Sequence, residues 1–274
     1  MSTIRSGYAA INGARLYYEL AGSGAPLVMI HAGIADCRMW DGEFAAFAAS
    51  HQALRFDMRG YGRSLPVEGE FNLQDDLSAL LQSLNIAAPL NLMGCSMGAG
   101  LAIDFALAQP AMAASLILVG GSPQGLELDA AGPDDLFAES EAAFEAGDLE
   151  RVAELDMQIW FDGWVRARQD VDPSARRKAF EMAKLVTEHE HKGIGRHKRK
   201  AATKSAADSL EQLTMPALII VGENDLPFLR LAADYMVQKM PQTAKVLIPN
   251  AGHLPNMEHP AVFQDAVRQF LARV

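Results

Sequence analysis

The sequence predicts an α/β fold: a mostly parallel, eight-stranded sheet with helices on both faces and a helical lid. Three observations predict it. Short, continuously apolar runs recur along the chain, as expected of strands buried on both faces of a parallel sheet. Stretches with helical spacing lie between them, and that alternation wraps a parallel sheet on both sides. One long segment, from about Gly125 to Gln212, breaks the rhythm with helices and no convincing strand.

Taken in order, Tyr8 to Ile11 and Ala14 to Leu20 read as strands of a hairpin, because Asn12-Gly13 between them favours a tight primed turn. Ala25 to Ile30 is the first buried run, and Ala53 to Asp57 is strand-like. From Phe71 to Ile86 apolar residues fall at Leu73, Leu77, Leu80, Leu81 and Leu84, a helical spacing. Pro89 to Gly94 is a strand and Met97 to Gln109 a helix. Ser115 to Gly120, Ala217 to Gly222 and Ala244 to Pro249 are strands, with a helix from Leu226 to Met240 and a last helix from Pro260 onward. The interrupting segment holds helical stretches from Asp135 to Phe161 and from Asp172 to Val186. Helices inserted between two sheet strands read as a lid, so residues 1–124 and 213–274 are expected to form the core domain and 125–212 the lid.

At 274 residues there is room for one large α/β domain with an insertion. Half the residues are hydrophobic (50%), enough for a sizeable core. Asp plus Glu number 34 against 24 Lys plus Arg, a formal charge of −10 that repels phosphate backbones, so no nucleic-acid partner is expected. The two cysteines, Cys37 and Cys95, have no metal-ligand spacing and imply no disulfide framework, which suits a reducing compartment. The N-terminal stretch has no apolar h-region, and no apolar run is long enough to span a bilayer. Cytoplasm is therefore expected, without a membrane partner; monomer and homodimer both fit the sequence. His189 and His191 lie in a charged run without HExxH spacing, and the basic run Arg196 to Lys200 is short, so both read as solvated faces. No metal and no cofactor are expected.

The chemistry concentrates in Gly94-Cys95-Ser96-Met97-Gly98, a G-x-S-x-G pentapeptide that follows an apolar strand and opens an Ala-rich helix. That is the context of a nucleophile elbow. The chain turns sharply there, the glycines remove side chains that would clash, and the serine hydroxyl is lifted beside a helix N-terminus that favours developing negative charge. Serine alone is a poor nucleophile and needs a base, which in turn needs an orienting group. In this architecture they follow in the order Ser, Asp or Glu, His. Of the histidines after the last strand, His253 lies in the loop directly behind it, whereas His259 precedes Pro260 at a helix start. His253 is the expected base. Asp225, just beyond the buried strand ending at Gly222, is the expected acid, with Glu223 as competitor. The loop Gly120-Gly121-Ser122-Pro123 offers no carboxylate.

An oxyanion hole completes the set. The backbone N–H of Met97 supplies one donor and that of Gly33, or alternatively Ile34, the second. His31, in the same loop, reads as a brace. Trp160, Phe161 and Trp164 are candidates to line the substrate pocket, with ordinary helix packing as the equal alternative. Cys95 is expected to be buried and inert, and Asp57 and Arg59 to hold a turn together.

These motifs resemble those of the α/β-hydrolase superfamily. His31-Ala32-Gly33 is similar to its His-Gly oxyanion loop, with Ala32 where the family usually has glycine. Asp57 to Ser64 resembles its D-x-R-G-x-G-x-S turn, Gly94 to Gly98 its elbow, Gly222 to Asp225 its acid turn and Gly252-His253 its histidine loop. The order matches, and the motifs cover the chain outside the lid. The resemblance implies the α/β-hydrolase fold and is nearest to small lid-bearing serine esterases, enol-lactone hydrolases and carbon–carbon bond hydrolases. It implies cleavage of a small-molecule carboxylic ester or lactone through an acyl-enzyme. Carbon–carbon bond cleavage, cofactor-free perhydrolase or haloperoxidase chemistry, and a ligand receptor with little turnover are the alternatives. Ser96 stands against dehalogenase and epoxide hydrolase reactions, which use an aspartate nucleophile in this family.

Overall fold

The computed structural model describes residues 3–64, 69–163, 166–194, 199–200 and 205–274. Strands β1 (Arg5–Ile11) and β2 (Ala14–Ala21) form an antiparallel hairpin. Asn12 and Gly13 at its turn have φ of 45° and 79°, the primed geometry that matches strand twist. Six more strands complete the sheet: β3 (Pro26–Ile30), β4 (Gln52–Phe56), β5 (Leu90–Cys95), β6 (Ala113–Val119), β7 (Ala217–Gly222) and β8 (Thr243–Ile248). Their order is β1-β2-β4-β3-β5-β6-β7-β8, and every pair beyond the β2–β4 pairing is parallel.

Alternate residues of the strands feed two apolar clusters, one on each face. Val28 and Ile30 join the cluster containing α2 (Leu73–Ser83), α3 (Met97–Ala108) and α7 (Pro227–Lys239), through Leu77, Leu80, Phe105 and Met236. Leu27 and Met29 join the other, with Phe44 and Phe47 of α1 (Asp41–Phe47) and Phe263 and Val267 of α9 (Pro260–Leu271). Helix starts follow local chemistry. The Asn72 side chain accepts the N–H of Gln74 at 2.7 Å, while α7, α9 and the short α8 (Pro255–Glu258) open on proline, whose missing N–H costs nothing in a first turn.

Between β6 and β7 the described residues form helices and no sheet strand. The single helical stretch expected from Asp135 to Phe161 is two helices, α4 (Asp134–Glu145) and α5 (Leu149–Asp156). Gly147, at φ 76°, ends the first, and the Asp148 carboxylate starts the second by accepting the N–H of Arg151 at 3.1 Å. α5 continues into a π turn, Met157–Phe161. α6 (Pro173–His191) runs five residues past the expected Val186. α1 has no counterpart in the sequence reading, since seven residues are too few for periodicity to register. No helix among the described residues is long and apolar enough to cross a membrane.

The strand order positions the site. The chain lays β4 on one side of β3 and returns to place β5 on the other. At such a reversal, connections leave the strand ends in opposite directions and open a crevice. One buried ion pair fastens the fold near this edge. Arg59, behind β4, donates to both oxygens of Asp76 on α2 at 2.8 and 2.6 Å, and also to the Asn12 carbonyl at 3.2 Å. Both side chains are under 5% exposed. Asp76→Ala strands the guanidinium without its counter-ion, so urea unfolding is expected to show a loss of about 3–5 kcal/mol. A loss under about 1 kcal/mol would mean that the pair is dispensable.

Candidate active site

At the crevice, β5 becomes α3 across one residue. Ser96 has φ 53° and ψ −114°, a conformation that L-residues rarely adopt and that costs about 1–3 kcal/mol. Its surroundings hold it there. The Ser96 N–H donates to the Val119 carbonyl at 2.8 Å, and the Ser96 carbonyl accepts from Ala99 and Gly100, each at 3.0 Å. A Cβ on Gly98 would overlap the carbonyl oxygens of Ile30 and His31, and one on Gly94 the Gly98 carbonyl. Only glycine permits this approach of helix to strand.

The neighbouring loop comes from β3, whose Ile30 is in register with Gly94. The Ala35 N–H donates to the Ala32 carbonyl at 3.2 Å, closing a turn with Gly33 and Ile34 at its centre, and that bond uses neither central N–H. A Cβ on Gly33 would meet the Met97 Cβ at 3.7 Å, so the two expected oxyanion donors lie side by side. Met97 is the first residue of α3, where an N–H has no carbonyl within its own helix. His31 braces this loop. It is fully buried, its Nδ1 donates to the Ala32 carbonyl at 2.8 Å, and its Nε2 accepts the Met58 N–H at 2.9 Å.

His253 lies in the loop behind β8. Its Nδ1 is 3.0 and 3.1 Å from the Asp225 oxygens, and both residues are under 5% exposed. A carboxylate only accepts, so the proton sits on Nδ1 and Nε2 keeps a free lone pair. The Leu226 N–H fixes the Asp225 carboxylate at 2.8 Å. Gly120, at φ 51°, clears the ground, since a Cβ there would stand 2.9 Å from the imidazole Nδ1 and 3.0 Å from the Asp225 carboxylate. The His253 N–H donates to the Trp160 carbonyl at 3.0 Å, and the indole ring lies 4.9 Å from the imidazole. Glu223 faces elsewhere and accepts the Asn250 N–H at 2.9 Å. His259 is the N-cap residue of α9.

Ser96, His253, Gly33, Met97, Ile34 and Trp160 all line one cavity of about 930 Å³. Asp225 stands behind His253. Phe161 does not reach the cavity. It is fully buried in the apolar cluster with Met182 and Leu254, because on a helical path its side chain points away from that of Trp160. Trp164 lies outside the described residues. The sequence reading passed over other cavity residues: Gly100, Leu101 and Asp104 on α3, Phe137 and Phe144 on α4, Val152 on α5 and Leu229 on α7. Those on α3 had a signal, since Gly100 and Asp104 fall four and eight residues after Ser96 on the same helical face. Cys95 is fully buried, and burial raises its thiol well above the ordinary range. Asp36, Cys37 and Asp57 approach closely enough to share a cation. Their atoms are committed instead, Asp57 to the N–H groups of Cys37 and Arg63 at 2.9 and 2.8 Å and Asp36 to Arg38 at 2.7 Å.

Known proteins resemble this chain over nearly its whole length. A family model described as alpha/beta hydrolase fold matches residues 25–260. Over 262 residues the chain is 28% identical to the pimeloyl-(acyl-carrier protein) methyl ester esterase of Aeromonas salmonicida (strain A449), across 92% of this chain and 98% of that one. Its fold is similar to that of a malate-bound thermophilic esterase from Thermogutta terrifontis, with TM-score 0.80, 23% identity and 98% of both chains covered. The enol-lactonase from Burkholderia xenovorans LB400 superposes with TM-score 0.77 at 22% identity, over 97% of this chain and all of that one (100%).

Burial lowers the His31 imidazole below its ordinary 6.5, against the pull of Asp57. The unfolded chain therefore takes up this proton at a higher pH than the native one. The stability that neutral His31 supplies is complete above about 6.5 and is lost as pH falls through that value. Urea midpoints are expected to drop between about pH 7.5 and 5.5, with a shallower drop in His31→Gln. Equal slopes in the two proteins would contradict a buried, neutral His31.

Proposed function

The chain belongs to the alpha/beta hydrolase fold family, and from that premise we propose that it is a serine hydrolase cleaving a small carboxylic ester or lactone through an acyl-enzyme. The observation that carries the reading is the meeting of the strained Ser96 with the His253–Asp225 pair at one cavity. In this reading Ser96 is the nucleophile. His253 Nε2 takes its proton as Oγ attacks the carbonyl carbon, and Asp225 holds the imidazole in the Nδ1–H tautomer. The N–H groups of Gly33 and Met97 receive the negative oxygen, each worth about 3 kcal/mol of barrier. His253 returns the proton to the departing alkoxide, and the acyl group stays on Ser96. Water then repeats the steps, leaving a carboxylic acid and the free serine.

Residues 125–212 act as the lid in this reading, over a core of 1–124 and 213–274. Ile34 and Trp160 contact substrate. The ester bond is also the bond class in the name of the Aeromonas relative. We place the protein in the cytoplasm, in keeping with two free, buried cysteines.

Ser96→Ala is expected to abolish covalent labelling by a fluorophosphonate and to lower turnover of short p-nitrophenyl esters by about 10³-fold or more. Undiminished hydrolysis by that variant would end the assignment. Negligible wild-type turnover combined with strong thermal stabilisation by an ester analogue would favour a receptor.

A further inference from the structure

Ser96 follows β5 and His253 follows β8, with β6 and β7 between those strands. Asp225 sets the tautomer of the imidazole, but among the described residues no hydrogen bond joins the ring to the Ser96 hydroxyl. The reach from Nε2 to Oγ is therefore set by the placement of the loop that carries His253. Arg166 stands where that loop meets the helical segment between β6 and β7. Its side chain is 9% exposed, and its guanidinium donates to acceptors on both sides of the junction. Two belong to its own segment, the carbonyls of Phe161 and Asp162 at 2.9 and 2.5 Å. Two flank His253, the Asn250 carbonyl before it and the Glu258 carboxylate after it, the latter at 2.6 Å.

Glu258 turns its other oxygen back onto the Gly252 N–H at 2.7 Å, so the pair grips the loop directly before the histidine as well. The contact is close. A Cβ on Gly252 would stand 2.5 Å from the Phe161 carbonyl oxygen, and one on Gly163 2.8 Å from the carbonyl oxygen of Asn224, the residue before Asp225. The segment thus presses on the loops of both the base and its acid. A rigid fork of donors suits Arg166 to this junction, because several fixed acceptors must be met at once. Neither Arg166 nor Glu258 lines the cavity that holds Ser96. We propose that Arg166 is a positioning residue: with Glu258 it sets the reach of the His253 imidazole to Ser96, and so couples the placement of the helical segment to the rate of bond breaking. The proposal rests on the serine-hydrolase reading and deepens it.

The test separates kcat from KM. A reacting group displaced by about 1 Å can cost about 10²-fold in rate. Arg166→Met, which keeps a long side chain and drops the donors, is therefore expected to lower kcat for p-nitrophenyl acetate about tenfold or more and to change KM less than about threefold. The rate of Ser96 labelling at saturating fluorophosphonate should fall in parallel. Arg166→Lys keeps the charge without the fork and should recover part of the loss. Glu258→Gln can still accept the Gly252 N–H but leaves Arg166 without its counter-ion, and a smaller loss of kcat is expected. Arg176→Met is the structural control. It breaks the buried pair with Asp162, 2.7 Å in the same segment, and should lower the melting temperature while kcat stays within about twofold of wild type. Wild-type kcat in Arg166→Met, a loss confined to KM, or an equal loss of kcat in Arg176→Met overturns the proposal. If Arg166→Met does not fold, Arg166→Lys and Glu258→Gln decide by the same readouts, and wild-type kcat in both overturns it. If wild type neither cleaves the ester nor is labelled, the hydrolase reading fails, and loop placement is decided by proton NMR. The low-field Nδ1–H resonance of His253, identified by its absence from His253→Gln, should shift or broaden in Arg166→Lys, and an unchanged resonance overturns the positioning role.

Discussion

The strained peptide at Ser96 depends on a contact that leaves no room for a side chain. β5 must become α3 in one residue, and this works only because Gly98 lies against the carbonyls of Ile30 and His31 and Gly94 against that of Gly98. The same contact presses the start of α3 onto the end of β3, bringing the loop that carries Gly33 beside Met97. The strain is therefore not local. It is sustained by the sheet register, by His31 between Ala32 and Met58, and by the Ser96 N–H bond to Val119. Two polar backbone loops become rigid before any ligand arrives, which is what preorganised stabilisation of an oxyanion demands.

The histidine loop has a different kind of support. The Gly252 N–H donates to Glu258 at 2.7 Å, and Glu258 pairs with Arg166 at 2.6 Å. Arg166 also donates to the carbonyls of Asn250 and Phe161. Through these bonds, and through the Trp160 carbonyl on the His253 N–H, the helical segment between β6 and β7 is tied directly to the imidazole. Trp160 sits in the π turn, where one extra residue rotates a carbonyl and a ring toward the histidine; such bulges recur at functional sites. Cavity wall and histidine loop thus share one framework of hydrogen bonds.

How much of this was legible in the sequence divides along physical lines. Strands, the Asn12-Gly13 turn and the elbow depend on residues adjacent in the chain, and there the sequence reading and the structure coincide to within a few residues. That Ser96, Asp225 and His253 reach one crevice followed from strand order, because each lies just past a strand's C-terminal end. What depends on contacts between distant segments was not legible. α1 is too short for periodicity, and it is held by Phe44 and Phe47 against the sheet and α9. Phe161 reads from the sequence like its neighbour Trp160, yet tertiary packing buries one and leaves the other on the cavity. Asp104 carries no motif, and only the helical wheel from Ser96 reveals its direction.

The contrast between the two ends of the cavity follows from the same division. Near Ser96 the groups that position the imidazole and the loop have fixed partners: the Asp225 carboxylate the Leu226 N–H, the imidazole Nδ1 Asp225, the Ala32 carbonyl His31. Eight residues along α3, the half-buried Asp104 carboxyl accepts no hydrogen bond from any described residue. Polar groups in native interiors are paired with few exceptions, and Asp104 is not one of them, because it lies on the cavity wall rather than in the interior. The partners at the Ser96 end are set by backbone contacts between neighbouring loops, whereas the far end is lined by side chains of separate helices, Phe137 and Phe144 on α4, Val152 on α5 and Leu229 on α7, whose meeting depends on tertiary packing.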